Sequence, residues 1–284
     1  MADQSLTRRG WDSIWPAPAK LNLFLHVVGR RPDGYHLLQT VFRFIDRADL
    51  LRFAPRDDGE IRLLTPIAGV PPEQDLTVRA ARLLQAVSAC RQGVDIMLEK
   101  RLPMGGGLGG GSSDAATVLL ALNALWGIGF SQSRLQEIGL GLGADVPVFI
   151  NGENAFAEGV GEKLTPVEVP PAWYLVLEPA VQVSTALIFG APELRRDTPA
   201  IAATDWRSGF GRNDLEAVAC SCFPPVAEAL ACLRQLAPAR MTGSGACVFA
   251  EFPTPDAAEA VLAQLPEGLT AWIAEGLSAH PLRM

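Results

Sequence analysis

From Lys20 onward the residues alternate: Leu21, Leu23, Leu25 and Val27 fall on one side, and Lys20, Asn22, Phe24 and His26 on the other. A period of two marks a strand, with one face predicted to meet a core and the other to carry an amine beside an amide. On this segment alone, the second face reads as solvated and its lysine as an ordinary exposed one. Pro32-Asp33-Gly34 signals a turn, and Tyr35-His36 leads into a second β-rich run at residues 37–45. Asp57-Asp58-Gly59 is predicted to turn a hairpin between residues 50–54 and 60–65. At Asp75 the period lengthens, and Leu76, Ala80, Leu83, Leu84 and Val87 share one stripe of a helix reaching Ala89. Val94, Ile96 and Leu98 return to the strand period.

Beyond a glycine-rich stretch, residues 115–126 form an apolar helical run. Ser131 or Ser133 caps a shorter helix through Leu135, Ile138 and Leu142, ended by Gly141 and Gly143. Asp145 then stands between that helix end and an apolar strand at residues 146–149. Residues 165–173, with Pro166, Pro170 and Pro171, read as a linker, which divides the chain into units at 1–163 and 164–284. The second unit shows strands at 174–178 and 183–189, helices from 213 and at 225–235, strand, glycine turn and strand over 239–250, a helix at 256–264 and a strand at 271–274. Strands and helices mix without a βαβ rhythm, which predicts an α+β fold.

The glycine-rich stretch puts six glycines into the seven positions 105–111. Glycine loses more backbone entropy on folding than any other residue, so the cluster requires a return. That return is bare backbone N–H groups approaching an anion, helped by the N-terminus of the next helix, with Ser112 and Ser113 expected as its capping hydroxyls. No G-x-x-x-x-G-K-[ST] motif occurs, and the match to G-x-G-x-x-G is one that any glycine run gives. A dinucleotide-binding oxidoreductase would place such a loop at the start of a βαβ unit. Here it follows a hundred residues of β-rich chain.

Composition narrows the functions further. The formal charge is -7, which argues against a nucleic-acid or anionic-membrane partner. Only three lysines occur, Lys20, Lys100 and Lys163, so each one set in a patterned segment carries information. Five cysteines (Cys90, Cys220, Cys222, Cys232, Cys247) lack the spacing of a disulfide framework or zinc site. Residues 1–15 have no apolar core of signal-peptide type, and the longest apolar run, 115–130, is interrupted by Asn123. A cytoplasmic location is expected.

Three signatures stand in order: Pro18-Ala19-Lys20-Leu21-Asn22-Leu23, the loop opening at Pro103, and Thr242-Gly243-Ser244-Gly245-Ala246. Together they resemble the GHMP kinase superfamily, whose phosphate loop has the form P-x-x-x-G-L-G-S-S. Asp33-Gly34-Tyr35-His36 and Gly143-Ala144-Asp145-Val146-Pro147 resemble its branch acting on a cytidine diphosphate-linked methylerythritol, in the non-mevalonate route to isoprenoid precursors. The resemblance implies an N-terminal ATP-binding domain like the second domain of ribosomal protein S5, a ferredoxin-like C-terminal domain, and an active site between them. It implies ATP as co-substrate with Mg²⁺, and transfer of the γ-phosphoryl to the 2-hydroxyl of the acceptor.

By the same resemblance Lys20 and Asp145 are the catalytic pair, and Pro103, Met104, Gly105, Gly106, Gly107, Leu108, Gly109, Gly110, Gly111, Ser112 and Ser113 hold the nucleotide. Asn22 lies beside the accepting hydroxyl, Tyr35 and Phe189 stack on the cytosine, His36 hydrogen-bonds it, and Thr185 joins them on the acceptor side. No protein metal ligand is implied, and the expected state is a monomer or weak homodimer. Asp75-Leu76 departs from the family's usual Asn-Leu, and the glycine run is longer than in mevalonate kinase relatives. The alternative is another small-molecule kinase of this superfamily, of homoserine or mevalonate type.

Overall fold

The computed structural model describes residues 9–283; of the N-terminal stretch considered above, residues 1–8 lie outside that range. Strands β1 (Trp15–Arg30) and β2 (His36–Arg56) pair antiparallel as one long ribbon. Gly34, with φ of 92°, turns between them, and Asp33 accepts a hydrogen bond from the Tyr35 N–H. The expected solvated face of β1 is not there: Lys20, Asn22, Phe24 and His26 are buried like their neighbours. Register shifts after Pro18, Asn22 and Val27 turn the strand as it runs. It meets one core at Trp15 and Ala17, a second at Ala19, Leu21, Leu23 and Phe24, and a third at Leu25 and Val27. The face expected to be solvated is therefore divided, with Lys20 and Asn22 lining a cleft and Phe24 joining a core.

The first sheet runs β3 (Ile61–Leu63), β4 (Gly93–Glu99), β2, β5 (Ala155–Glu158), β6 (Lys163–Pro166), with β1 on β2. The expected hairpin around Asp58 does not form, because β4 lies between its two arms and β3 pairs parallel to β4. Gly93 admits the close approach: a β-carbon there would stand 2.3 Å from the Glu60 carbonyl oxygen. Helix α1 (Leu76–Ser88) is capped by Asp75, which accepts from the Thr77 and Val78 N–H groups. Its buried stripe is Thr77, Val78, Ala80, Ala81 and Leu84, and the expected member Val87 is exposed. Helix α2 (Gly110–Leu125) is buried along most of its length. Ser131 caps α3 (Gln132–Leu140), and α4 (Val146–Asn151) replaces the strand expected after Asp145. Pro147 suits a helical first turn and Gly152, at φ 76°, its left-handed end. A six-residue apolar run does not reveal its period without those signals.

The second sheet has the order β10 (Thr270–Glu275), β7 (Trp173–Glu178), β9 (Val248–Phe252), β8 (Ala239–Met241). Helices α6 (Glu216–Cys222) and α7 (Pro224–Arg234) connect β7 to β8, and α8 (Pro255–Leu262) connects β9 to β10. This is the βαββαβ order of a ferredoxin-like unit. The strand expected at 183–189 is instead α5 (Thr185–Gly190), started by the Ser184 hydroxyl accepting from Leu187 N–H. The expected division after Lys163 falls inside β6, which the first sheet retains. The chain also returns after β10: Leu277 N–H donates to Phe44, His280 N–H to Gly152, and Leu282 enters the first core.

Candidate active site

A cleft of about 1150 Å³ opens between the two sheets, lined by β1, the glycine loop, the start of α4, α5 and the turn between β8 and β9. Gly105, Gly107 and Gly109 take left-handed backbone conformations, with φ of 68°, 74° and 73°. Gly109 itself is the N-cap of α2, so Ser112 and Ser113 are not caps. They lie inside the first turn, where Ser113 is fully buried and donates to the Pro18 carbonyl at 2.7 Å. Ser112 lines the cleft.

The loop is also docked on the second sheet. The Gly105 and Gly106 carbonyls accept from Ala246 N–H at 3.0 Å and Cys247 N–H at 3.1 Å. A β-carbon on Gly107 would stand 2.2 Å from the Thr242 carbonyl oxygen. At 107, then, glycine is required by the close approach of two backbones. A β-carbon on Gly109 would meet Phe149 at 2.9 Å and Lys20 Cε at 3.0 Å.

Three residues distant in sequence converge at this loop. Lys20 Nζ donates to Asn22 Oδ1 at 2.5 Å and to the Gly107 carbonyl at 3.0 Å, and lies 3.3 Å from Asp145 Oδ2. The ammonium's three donors thus have three partners. Asn22 is fixed in turn, its side-chain amide donating to Thr40 Oγ1 at 2.9 Å and its backbone N–H to Thr242 Oγ1 at 2.9 Å. The Lys20 side chain is 3% exposed and that of Asp145 34%, so the carboxylate is the member open to the cleft. Asp145 makes no capping bond within α4. Thr40 and Thr242 escaped the sequence reading; Thr242 heads the third signature, whereas nothing in sequence marks Thr40.

At the other end of the cleft the His36 ring packs on Phe189, centroids 5.0 Å apart and tilted 34°. Burial and the charges of Arg196 and Arg30 hold the imidazole below its ordinary pKa. Tyr35 lines the same end but is 63% exposed. Thr185 Oγ1 and Ser244 Oγ are 2.8 Å apart and join α5 to the β8–β9 turn.

A second lysine site closes the glycine loop from below. Lys100, just after β4, contacts Asp49 and lies 2.8 Å from Asp114 Oδ2 in the first turn of α2. Asp49 Oδ1 also accepts from the N–H groups of Arg101 and Leu102, fixing the start of the loop. Burial and Asp49 push the Asp114 carboxyl up to about 8 against the opposing pull of Lys100. The scarcity of lysine was the one sequence signal for this cluster. Among the described residues no group of three or more His, Cys, Asp or Glu could cage a metal. None of the described helices is long and apolar enough to cross a membrane, and all five cysteines are free.

Residues 75–153 match the GHMP kinases N-terminal domain, and residues 196–271 the GHMP kinases C-terminal family. The 4-diphosphocytidyl-2-C-methyl-D-erythritol kinase of Dechloromonas aromatica is 69% identical over 95% of this chain and 98% of its own length. Its namesake from Nitrosospira multiformis is 60% identical over 94% and 92%. A crystal structure of 4-(cytidine 5'-diphospho)-2C-methyl-D-erythritol kinase superposes with a TM-score of 0.77 at 38% identity, covering 93% of this chain and 99% of that one. A mevalonate kinase structure, at 13% identity and a TM-score of 0.69, shares the fold. The chain therefore belongs to the GHMP kinase family, on the branch of its 4-diphosphocytidyl-2-C-methyl-D-erythritol kinase relatives.

Proposed function

We propose that the protein transfers the γ-phosphoryl of ATP to the 2-hydroxyl of 4-diphosphocytidyl-2-C-methyl-D-erythritol, giving the 2-phosphate and ADP in the non-mevalonate route to isoprenoid precursors. ATP is the co-substrate that membership of the GHMP kinase family implies. The observation that carries the reading is the juxtaposition of Lys20, Asn22 and Asp145 with the glycine loop at one end of a cleft whose other end holds Tyr35, His36 and Phe189. The division of labour follows the two units: the first holds ATP, and the second helps to enclose the acceptor.

Phosphoryl transfer through a loose transition state asks the protein to place the hydroxyl in line, receive its proton and offset charge on the moving group. Asp145, the exposed carboxylate of the pair, takes the proton. Lys20, 3.3 Å from that carboxylate, stabilises the transferring group as a compact point charge. Asn22, tied to Thr40 and Thr242, holds the accepting hydroxyl beside them. Backbone N–H groups of residues 105–111 and the start of α2 receive the phosphates. Mg²⁺, when bound with the ATP phosphates, would neutralise their charge. Tyr35 and Phe189 enclose the cytosine, Thr185 lines its side of the cleft and His36 reads its edge. ATP turnover with this acceptor, compared with homoserine, galactose and mevalonate, tests the reading. Preference for one of the other alcohols would overturn it.

A further inference from the structure

His36 has two ring nitrogens, and one of them has a defined partner. The Arg196 Nε–H donates to His36 Nε2 at 3.0 Å. The rest of the guanidinium is committed to carbonyls: Nη1 donates to Leu194 at 2.9 Å, and Nη2 to Phe189 at 3.1 Å and Ala191 at 2.7 Å. An arginine only donates, so His36 Nε2 is the bare, accepting nitrogen and the proton of the neutral ring sits on Nδ1. The same guanidinium holds the Phe189 backbone carbonyl, so one side chain ties the His36 ring and the main chain of its aromatic partner.

We propose that Arg196 is a positioning residue that fixes His36 as an Nδ1–H donor at the base end of the cleft, and thereby selects a cytosine edge over a uracil edge. This rests on the reading of His36 as the residue that meets the base. Cytosine offers lone pairs at N3 and O2, which a donor satisfies. Uracil carries a hydrogen on N3, which faces an N–H donor without a bond, and a buried polar group left unpaired is what makes such sites selective. Without Arg196 the ring is free to move its proton to Nε2, and the bare Nδ1 then accepts from uracil N3–H. Discrimination between the bases should therefore depend on Arg196, and binding of ATP should not.

The chain has three histidines, so ¹⁵N–¹H spectra of the imidazoles identify His36 by comparison with His36→Phe. The wild-type ring should be the Nδ1–H tautomer, and Arg196→Met should give a mixture. The cytidine-over-uridine ratio of kcat/KM, measured with acceptors differing only in the base, should fall about tenfold in Arg196→Met, with the KM for ATP within about twofold. A wild-type Nε2–H tautomer overturns the proposal whether or not the variant folds, and so does an unchanged base ratio in a folded Arg196→Met. His36→Phe separates the two levels. If it leaves acceptor KM and base preference untouched, the underlying reading of His36 fails as well; if it alters them while Arg196→Met does not, only the role of Arg196 fails.

Discussion

Two of the three lysines meet aspartates beside the same loop, and they are built differently. Around Lys100 both carboxylates are buried: the Asp49 side chain is 0% exposed and that of Asp114 3%. Asp49 is further saturated by two backbone N–H groups. Around Lys20 the lysine is the buried member, and its aspartate is one-third exposed with no other bond to its helix. Asp49, with both oxygens committed, holds structure, and Asp145, with a free edge on the cleft, is available for proton transfer. The same residue types beside one loop thus form a clamp and a proposed catalytic pair.

That contrast breaks most readily at the clamp. Asp49→Ala leaves Lys100 with one partner and frees two N–H groups at the loop's start, and should cost about 3 to 5 kcal/mol of stability by chemical denaturation. A loss below about 1 kcal/mol would deny the clamp its structural role. At the other lysine the loss should appear in rate. Asp145→Asn and Lys20→Ala should each lower kcat by on the order of 10² or more, with modest change in ATP binding and in melting temperature. The double variant should lose much less than the product of the two, because groups acting as a unit are not additive. Near wild-type turnover in Asp145→Asn would return that residue to a structural role.

The two sites should also differ with pH. The folded pKa of Asp114, about 8, lies above its unfolded value near 3.8, so the native state holds a proton that the unfolded chain releases. Stability from that proton is complete below the unfolded pKa and is lost as pH rises through the folded one. Asp114→Asn removes the dependence, so between pH 5 and 8 the variant should gain on wild type by up to about 1.4 kcal/mol per pH unit. Parallel stability curves for the two proteins would show that Asp114 stays ionised. The smallest effect belongs to the open end of the cleft: Tyr35→Ala should raise the acceptor's KM about fivefold while that of ATP stays within twofold, as lost stacking requires. Equal changes for both substrates would remove Tyr35 from the acceptor side.

Much of the site could be read from the chain because its signals are local. Six glycines in seven positions can be read as an anion loop from the entropy they cost, and Pro32-Asp33-Gly34 as a turn from its dihedral preferences. The β8–β9 hairpin, α1 with its Asp75 cap and Ser131 at the start of α3 follow from equally local rules. The failures share a cause. Residues 146–151 and 185–190 are apolar runs too short for a period to declare itself, and the strand expected at each is a helix set by its ends. The hairpin at Asp58 failed because the preferred partner of β2 lay forty residues further on.

The sequence by itself determined the chemistry available: a glycine-rich loop, a lysine beside an amide, an aspartate after a glycine pair, and a tyrosine beside a histidine. Tertiary structure alone decided which of these meet and in what state. It buried the face of β1 that alternation assigned to water, because a second sheet packs where one sheet would leave solvent. It put Thr242 against Asn22, Asp49 beneath the loop and Arg196 on the far nitrogen of His36. Those pairings join residues scores of positions apart, and a local rule of period or propensity has no information about where a distant segment will pack.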